Sequence, residues 1–345
     1  MKSHVNIPIF IPHLGCPNTC VFCNQRTISG VQCFDISTVK EEIELALSTL
    51  KENQEAEIAF FGGSFTGIGE ELMTELLKIG YFFVKAGKVS SLRCSTRPDY
   101  INSTVLDVLE KYGMKTIELG LQSSSDAVLS ASKRGHTLTD EARAVKMIRE
   151  RGFSLVGQMM IGLPKSTLED ELETARFIID SGASAVRIYP TVVFFGTELH
   201  NMCLKGDYTP ISLSDAVERC ARVMELFINA GVDVIRIGLC ESENMHSKST
   251  YFAGPNHSAL GELVIGEVYY NLILKALSKL GAKSASEIEI SIPKNSLSKV
   301  KGQKKNNYLR LVKAYPACKF IFKERDLLSE YKILVKVTKG EIKCT

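Results

Sequence analysis

Short, almost wholly apolar runs recur through the first two thirds of the chain. They lie at 5–10 (VNIPIF), 56–61 (AEIAFF), 89–95, 115–120, 153–161, 184–189 and 232–237. Between them stand stretches in which apolar residues return every three or four positions, at 38–52, 69–86, 139–151, 167–181 and 213–230. The first pattern predicts strands buried on both faces, the second amphipathic helices. Strict alternation of the two predicts a parallel sheet covered by helices. Six or seven such units are too few for a closed eightfold barrel, so the expected α/β fold is a partial, (β/α)6-type barrel, with an open doubly wound sheet as the alternative. Either way the active site is expected at the carboxyl ends of the strands.

From about residue 241 the pattern changes. A polar stretch, ESENMHSKST, leads to a helix predicted at 259–280 and strand-like runs at 287–292, 318–323 and 331–337. These read as a small α+β domain, giving an expected division into 1–240 and 241–345.

Composition narrows the class. Of 345 residues, 45% are hydrophobic and 23% charged, as in ordinary folded soluble proteins. No apolar run reaches the roughly 18 residues of a transmembrane helix. Met1 to Phe10 has no secretion-signal pattern, so no membrane association and a cytoplasmic location are expected. Ten cysteines in such a chain point to metal or redox chemistry rather than disulfides. The net charge of +3 conceals an asymmetry: 290–345 holds fourteen Lys and Arg against four acidic residues, leaving −7 for the rest. A basic end suggests a polyanionic partner.

The sharpest chemical signal is C-P-N-T-C-V-F-C, which sets Cys16, Cys20 and Cys23 just after the first strand. Three thiolates at this spacing can converge on one iron–sulfur cluster and leave one iron without a protein ligand. Such an iron can chelate the amino and carboxylate groups of S-adenosylmethionine and pass an electron to its sulfonium. The competing reading is structural zinc with Cys33 or His13 as fourth ligand, although zinc favours two ligand pairs and no second pair is present. Gly62-Gly63-Ser64 closes the second strand, where missing side chains let backbone approach a ligand; an ordinary strand-to-helix turn is the plainer account.

With that triad, the chain resembles the radical S-adenosylmethionine (radical SAM) superfamily, and most of all the Elongator catalytic-subunit-like branch, which modifies the wobble uridine of tRNA. It is more distantly similar to oxygen-independent coproporphyrinogen oxidase. The likeness rests on FFGGSFTG at 60–67, STRPDY at 95–100, IELGLQS at 117–123, KRGHT at 133–137, MIGLP at 160–164 and RIYPTVVFFGTEL at 187–199. It implies a radical SAM barrel, a [4Fe–4S] cluster on Cys16, Cys20 and Cys23, and S-adenosyl-L-methionine as the second cofactor. By the family pattern Phe22 lies near the adenine, and Gly62, Gly63 and Ser64 hold the methionine amino group. Gln122 and Arg134 bond the ribose or the carboxylate, for which the Arg fork is suited. Ser95 and Gln158 stand where relatives place glutamate and aspartate, and can still bond ribose hydroxyls. The resemblance also implies an electron-donor protein such as flavodoxin or ferredoxin.

Other candidates read more plainly. Cys94, Cys203 and Cys240 are expected to be small buried hydrophobes, Tyr189 to pack in the core, and His257 to form a turn or helix cap. Residues 293–323 hold nine Lys or Arg and no acid, with Tyr308 and Tyr315 interleaved, which fits tRNA phosphates and stacked bases; a solvated face is the alternative. The expected activity is reductive cleavage of S-adenosylmethionine to a 5′-deoxyadenosyl radical for tRNA modification. The runner-up is an oxidative decarboxylase of the porphyrinogen-oxidase kind acting on a small molecule. No pyrophosphate loop for acetyl-coenzyme A is found in the sequence, so the chemistry attached to the base is left open.

Overall fold

The computed structural model describes residues 3–11, 14–16, 20–24, 33–239, 250–281 and 286–339. Seven strands form one sheet in the order β1 (Ser3–Phe10), β2 (Gln54–Phe61), β3 (Ser91–Thr96), β4 (Met114–Gln122), β5 (Ser154–Ile161), β6 (Ala185–Pro190) and β8 (Asp233–Ile237). Every pairing is parallel, from Ser3 opposite Gln54 to Ile188 opposite Ile237. The sheet curls into an open half barrel, as the alternation predicts, and the doubly wound alternative is set aside. Between β6 and β8, the two-residue β7 (Val193–Phe194) pairs antiparallel with β9 (Tyr251–Ala253), a ribbon too short to read from the sequence.

The helices form where the apolar spacing puts them. In Glu70–Lys85 the buried positions are Met73, Leu76, Leu77, Gly80 and Phe83, a single stripe turned to the sheet. A Cβ on Gly80 would stand 2.8 Å from a Leu92 methyl on β3, so glycine sets the close approach of helix and strand. Leu138–Glu150 and Leu168–Asp180 both open with capping boxes, Thr137 with Asp140 and Thr167 with Asp170.

The chain separates into two compact units: residues 1–212 with 230–256, and residues 213–229 with 257–345. The expected cut at 240/241 thus differs from the observed one at both ends. Helix Leu213–Ala230 joins the second unit, where Glu225 accepts a 3.0 Å hydrogen bond from Asn271 of helix Leu260–Lys279 and pairs with Lys275. An apolar stripe tells that a helix is buried, not against which core. The second unit carries a three-stranded sheet in the order β11 (Cys318–Arg325), β10 (Ser286–Pro293), β12 (Leu334–Lys339). Ile288, Ile290 and Ile292 of β10 form its centre with Tyr269, Ile273 and Leu311. Among the described residues no helix is long and apolar enough to cross a membrane.

Candidate active site

A cavity of about 690 Å³ opens at the carboxyl ends of the barrel strands. Its size is that of a small-molecule site. Cys16, Cys20, Phe22, Cys23, Gly62, Gly63, Ser95, Gln122, Arg134 and Gln158 all line it. Of the residues expected at the site, Ser64 alone is set back. Its hydroxyl is fully buried, 2.9 Å from that of Thr96, and accepts from the Arg97 amide, so it ties the end of β2 to β3.

The cysteine loop is seated by main chain. Ser64 N–H donates to the Leu14 carbonyl at 3.2 Å. A Cβ on Gly63 would lie 2.2 Å from that same oxygen, and one on Gly15, at φ +73°, 2.2 Å from the Ser64 carbonyl. No other residue fits this clasp. Gly63→Ala is therefore expected to keep the circular-dichroism spectrum but to lower iron uptake severalfold on anaerobic reconstitution; unaltered iron content would count against the clasp.

Two arginines stand behind the thiols. Arg134 donates from Nη1 to Cys20 Sγ at 3.2 Å and from Nη2 to the Gly120 carbonyl at 2.7 Å. Arg97 grips Asp99 with two bonds of 2.9 Å and also donates to the Arg134 carbonyl. Burial raises the Cys16 thiol, as does the neighbouring Cys20, while Arg97 and Arg134 pull it back down. Further back, His136 Nε2 lies 3.0 Å from Glu141 Oε1. Burial pushes the imidazole down and the carboxyl up, which favours the uncharged form of each partner behind the arginines.

Below the mouth, Glu118 is completely buried and fully engaged. It accepts from Arg187 at 2.7 and 3.0 Å and from Gln158 at 3.0 Å, and lies 3.3 Å from Arg93. Gln158 also donates to Ser95 at 3.2 Å. Arg93, Glu118 and Arg187 were not among the expected site residues. Charged side chains alternating with apolar ones inside strands otherwise buried on both faces were the signal that could have found them.

The residues present fit the two cofactors implied by the triad. The donor set is three thiols that share one cavity. Among the described residues no three His, Cys, Asp or Glu side chains gather on a single metal ion. Cys33 is exposed and absent from the lining, and His13 lies outside the described residues. Four buried polar atoms of lining residues have no hydrogen-bond partner among the described residues: Gln122 Oε1, Arg97 Nη1, Arg134 Nε and, on β8, Arg236 Nε. Buried polar atoms are rarely left so, and an amino-acid moiety with a ribose offers complementary groups. Gln122 also holds φ +73°, a left-handed backbone unusual for glutamine and typical of functional sites.

A family model described as the radical SAM superfamily matches residues 10–178, and that of the radical SAM C-terminal domain matches 183–270. The chain belongs to the radical SAM superfamily. This radical SAM enzyme is 33% identical to an uncharacterized protein of Methanocaldococcus jannaschii over 214 residues, 59% of this chain and 65% of the relative. It is 32% identical over 142 residues to that organism's tRNA uridine(34) acetyltransferase, covering 39% of this chain and 26% of that protein. Elongator complex protein 3 of Saccharomyces cerevisiae matches at 32% over 142 residues, 40% of this chain and 26% of the relative. The chain thus spans just under two thirds of the first relative and about a quarter of the other two. The solved archaeal Methanocaldococcus infernus Elp3 with an N-terminal deletion shares the fold, with a TM-score of 0.58 and 20% identity over 83% of this chain and 67% of that one. As is usual in the superfamily, the cofactors are a [4Fe–4S] cluster and S-adenosylmethionine.

Several further expectations meet the structure here. Phe22 packs on Val128, Met160 and Leu163 and also lines the cavity. Tyr189, expected in the core, lines the cavity as well. Cys94 is buried and its thiol pushed far up by that burial, as expected of an inert core residue. Cys203 is half-buried, and Cys240 lies outside the described residues. His257 Nδ1 accepts from the Ala259 amide just before helix Leu260–Lys279, the turn role expected of it.

The basic segment 293–323 looks different once folded. Lys294, Lys299, Arg310, Lys319 and Lys323 pair with Asp326, Glu330, Glu267, Glu287 and Glu289. Tyr308 and Tyr315, read as stacking platforms, pack instead on the core of the second unit, against Phe322 and Phe320. Their apolar rings are drawn into that core, which a stripe of neighbouring lysines conceals in the sequence. Lys304, Lys305 and Lys313 are exposed, with no acidic partner among the described residues.

Proposed function

We propose that this radical SAM enzyme modifies a uridine of tRNA, in the wobble-uridine class of reaction. The observation that carries the reading is the 32% identity to a tRNA uridine(34) acetyltransferase over a stretch of 142 residues. In this reading Cys16, Cys20 and Cys23 hold the cluster. Gln122, Arg97 and Arg134 bind and orient S-adenosylmethionine through their unsatisfied buried atoms, with Gly62 and Gly63 giving its amino group access to backbone. Ser95 and Gln158 face the ribose, Phe22 shields the adenine side from water, and Ser64 supports the loop from behind. Exposed Lys304, Lys305 and Lys313 meet RNA phosphates. Electrons come from a flavodoxin- or ferredoxin-like donor, in the cytoplasm.

Mass spectrometry of tRNA nucleosides from cells with and without this gene tests the reading directly. One uridine-derived nucleoside is expected to disappear with the gene, and an unchanged profile would overturn it. A second measurement isolates the lysines. Removing 290–345 would strip half of β10 and all of β11 and β12 from the second unit's core, so point variants are the cleaner tool. Lys304→Glu with Lys305→Glu and Lys313→Glu is expected to weaken tRNA binding and to make its salt dependence shallower by roughly 2–3 log–log units, about 0.9 per lost phosphate contact. Unaltered affinity and slope would remove this surface from the proposal.

A further inference from the structure

The cavity has one guanidinium that nothing among the described residues answers. Arg236 stands on β8, the last strand of the sheet, directly opposite Arg187 of β6 in the parallel register. Both line the cavity. The other lining arginines are engaged: Arg187 with Glu118, Arg97 with Asp99, and Arg134 with Cys20 and the Gly120 carbonyl. Among the described residues Arg236 has neither carboxylate nor carbonyl as a partner. Its Nε is buried without a hydrogen-bond partner, and no acidic residue among the described residues pairs with it.

The charges around it cannot rearrange to help. Among the described residues Glu118 is the only carboxylate in the lining, and Arg187, Arg93 and Gln158 already surround it. Arg187 is further fixed by its seat on Phe61, with the guanidinium carbon 5.6 Å from the ring centroid. One full positive charge is therefore left over at the β8 edge, presented as a planar fork. A neutral acceptor would satisfy one N–H, whereas an oxyanion satisfies the charge and two donors together.

We propose that Arg236 anchors an anionic group of the substrate, a phosphate or a carboxylate, at the β8 edge of the barrel. The inference rests on reading this cavity as the reaction chamber, but not on the substrate being tRNA. A phosphate would be the nucleotide's own; a carboxylate would belong to a small substrate or co-substrate.

The test uses the full chain, anaerobically reconstituted and loaded with S-adenosylmethionine. Phenylglyoxal modification of Arg236 is followed by peptide mass spectrometry in the presence of uridine 3′-monophosphate, uridine 5′-monophosphate, malonate or uridine. At least one anion is expected to slow the modification about fivefold or more, with uridine having no effect. Protection by the monophosphates but not malonate assigns the site to phosphate, and the reverse to carboxylate. Calorimetric Kd for the protecting anion is expected to rise at least tenfold in Arg236→Gln and only a few-fold in Arg236→Lys, which keeps the charge. Iron content and the thermal melt report folding of each variant, and Arg236→Lys serves alone if Arg236→Gln does not fold. No protection by any anion, equal protection by uridine, or protection by S-adenosylmethionine alone would each overturn the proposal. Failure to take up iron or to form 5′-deoxyadenosine would instead strike the reaction-chamber reading, and is scored separately.

Discussion

Replacing Cys16, Cys20 and Cys23 together by alanine is expected to abolish iron and sulfide binding and with it all formation of 5′-deoxyadenosine. The melting temperature of the apoprotein should move little. The three thiols sit at the mouth of the cavity, not in the sheet, and their loop is fixed to β2 by the Ser64–Leu14 hydrogen bond and the glycine clasp. Taking away the sulfurs thus removes ligands without removing the packing that positions them. Iron and sulfide assays after anaerobic reconstitution, with absorbance near 400 nm, read the first effect; a scan of the apoprotein reads the second. A cluster that assembles equally well without these thiols would end the assignment.

Glu118→Ala is expected to lower stability by about 3–5 kcal/mol, the range found when one partner of a buried ion pair is deleted. Glu118 is wholly enclosed and answers Arg93, Arg187 and Gln158 at once. Without it two guanidinium groups remain within the barrel with one fewer counter-charge. The double change Glu118→Leu with Arg187→Leu removes both charges and is expected to recover a large part of the loss. Urea unfolding of the three proteins measures this. Equal stability of Glu118→Ala and the parent would show that the network contributes little.

Much of the first unit is legible in the chain itself. Buried parallel strands have no polar face to blur them, so each apolar run marks its strand to within two residues, as at 56–61 for Gln54–Phe61. The triad and the Gly-Gly turn are local signals, and they come together because every strand delivers its carboxyl end to one place. What stayed hidden was non-local. Helix Leu213–Ala230 carries an apolar stripe that fits either core. Five basic residues of 293–323 find acids on distant elements, so the segment is less bare than its composition. Arg236 sits in DVIRI, part of a run that reads as one more buried strand and says nothing of the cavity that this side chain lines.

The glycine clasp bears on how the enzyme survives air. Since backbone contacts at Leu14, Gly15, Gly63 and Ser64 pin the start of the thiol-bearing loop to the strand, oxidative destruction of the inorganic cube does not undo that part of its seat. Once the sulfurs are reduced again, assembly machinery meets a template already in shape, and recovery of a damaged molecule becomes a matter of refilling rather than refolding.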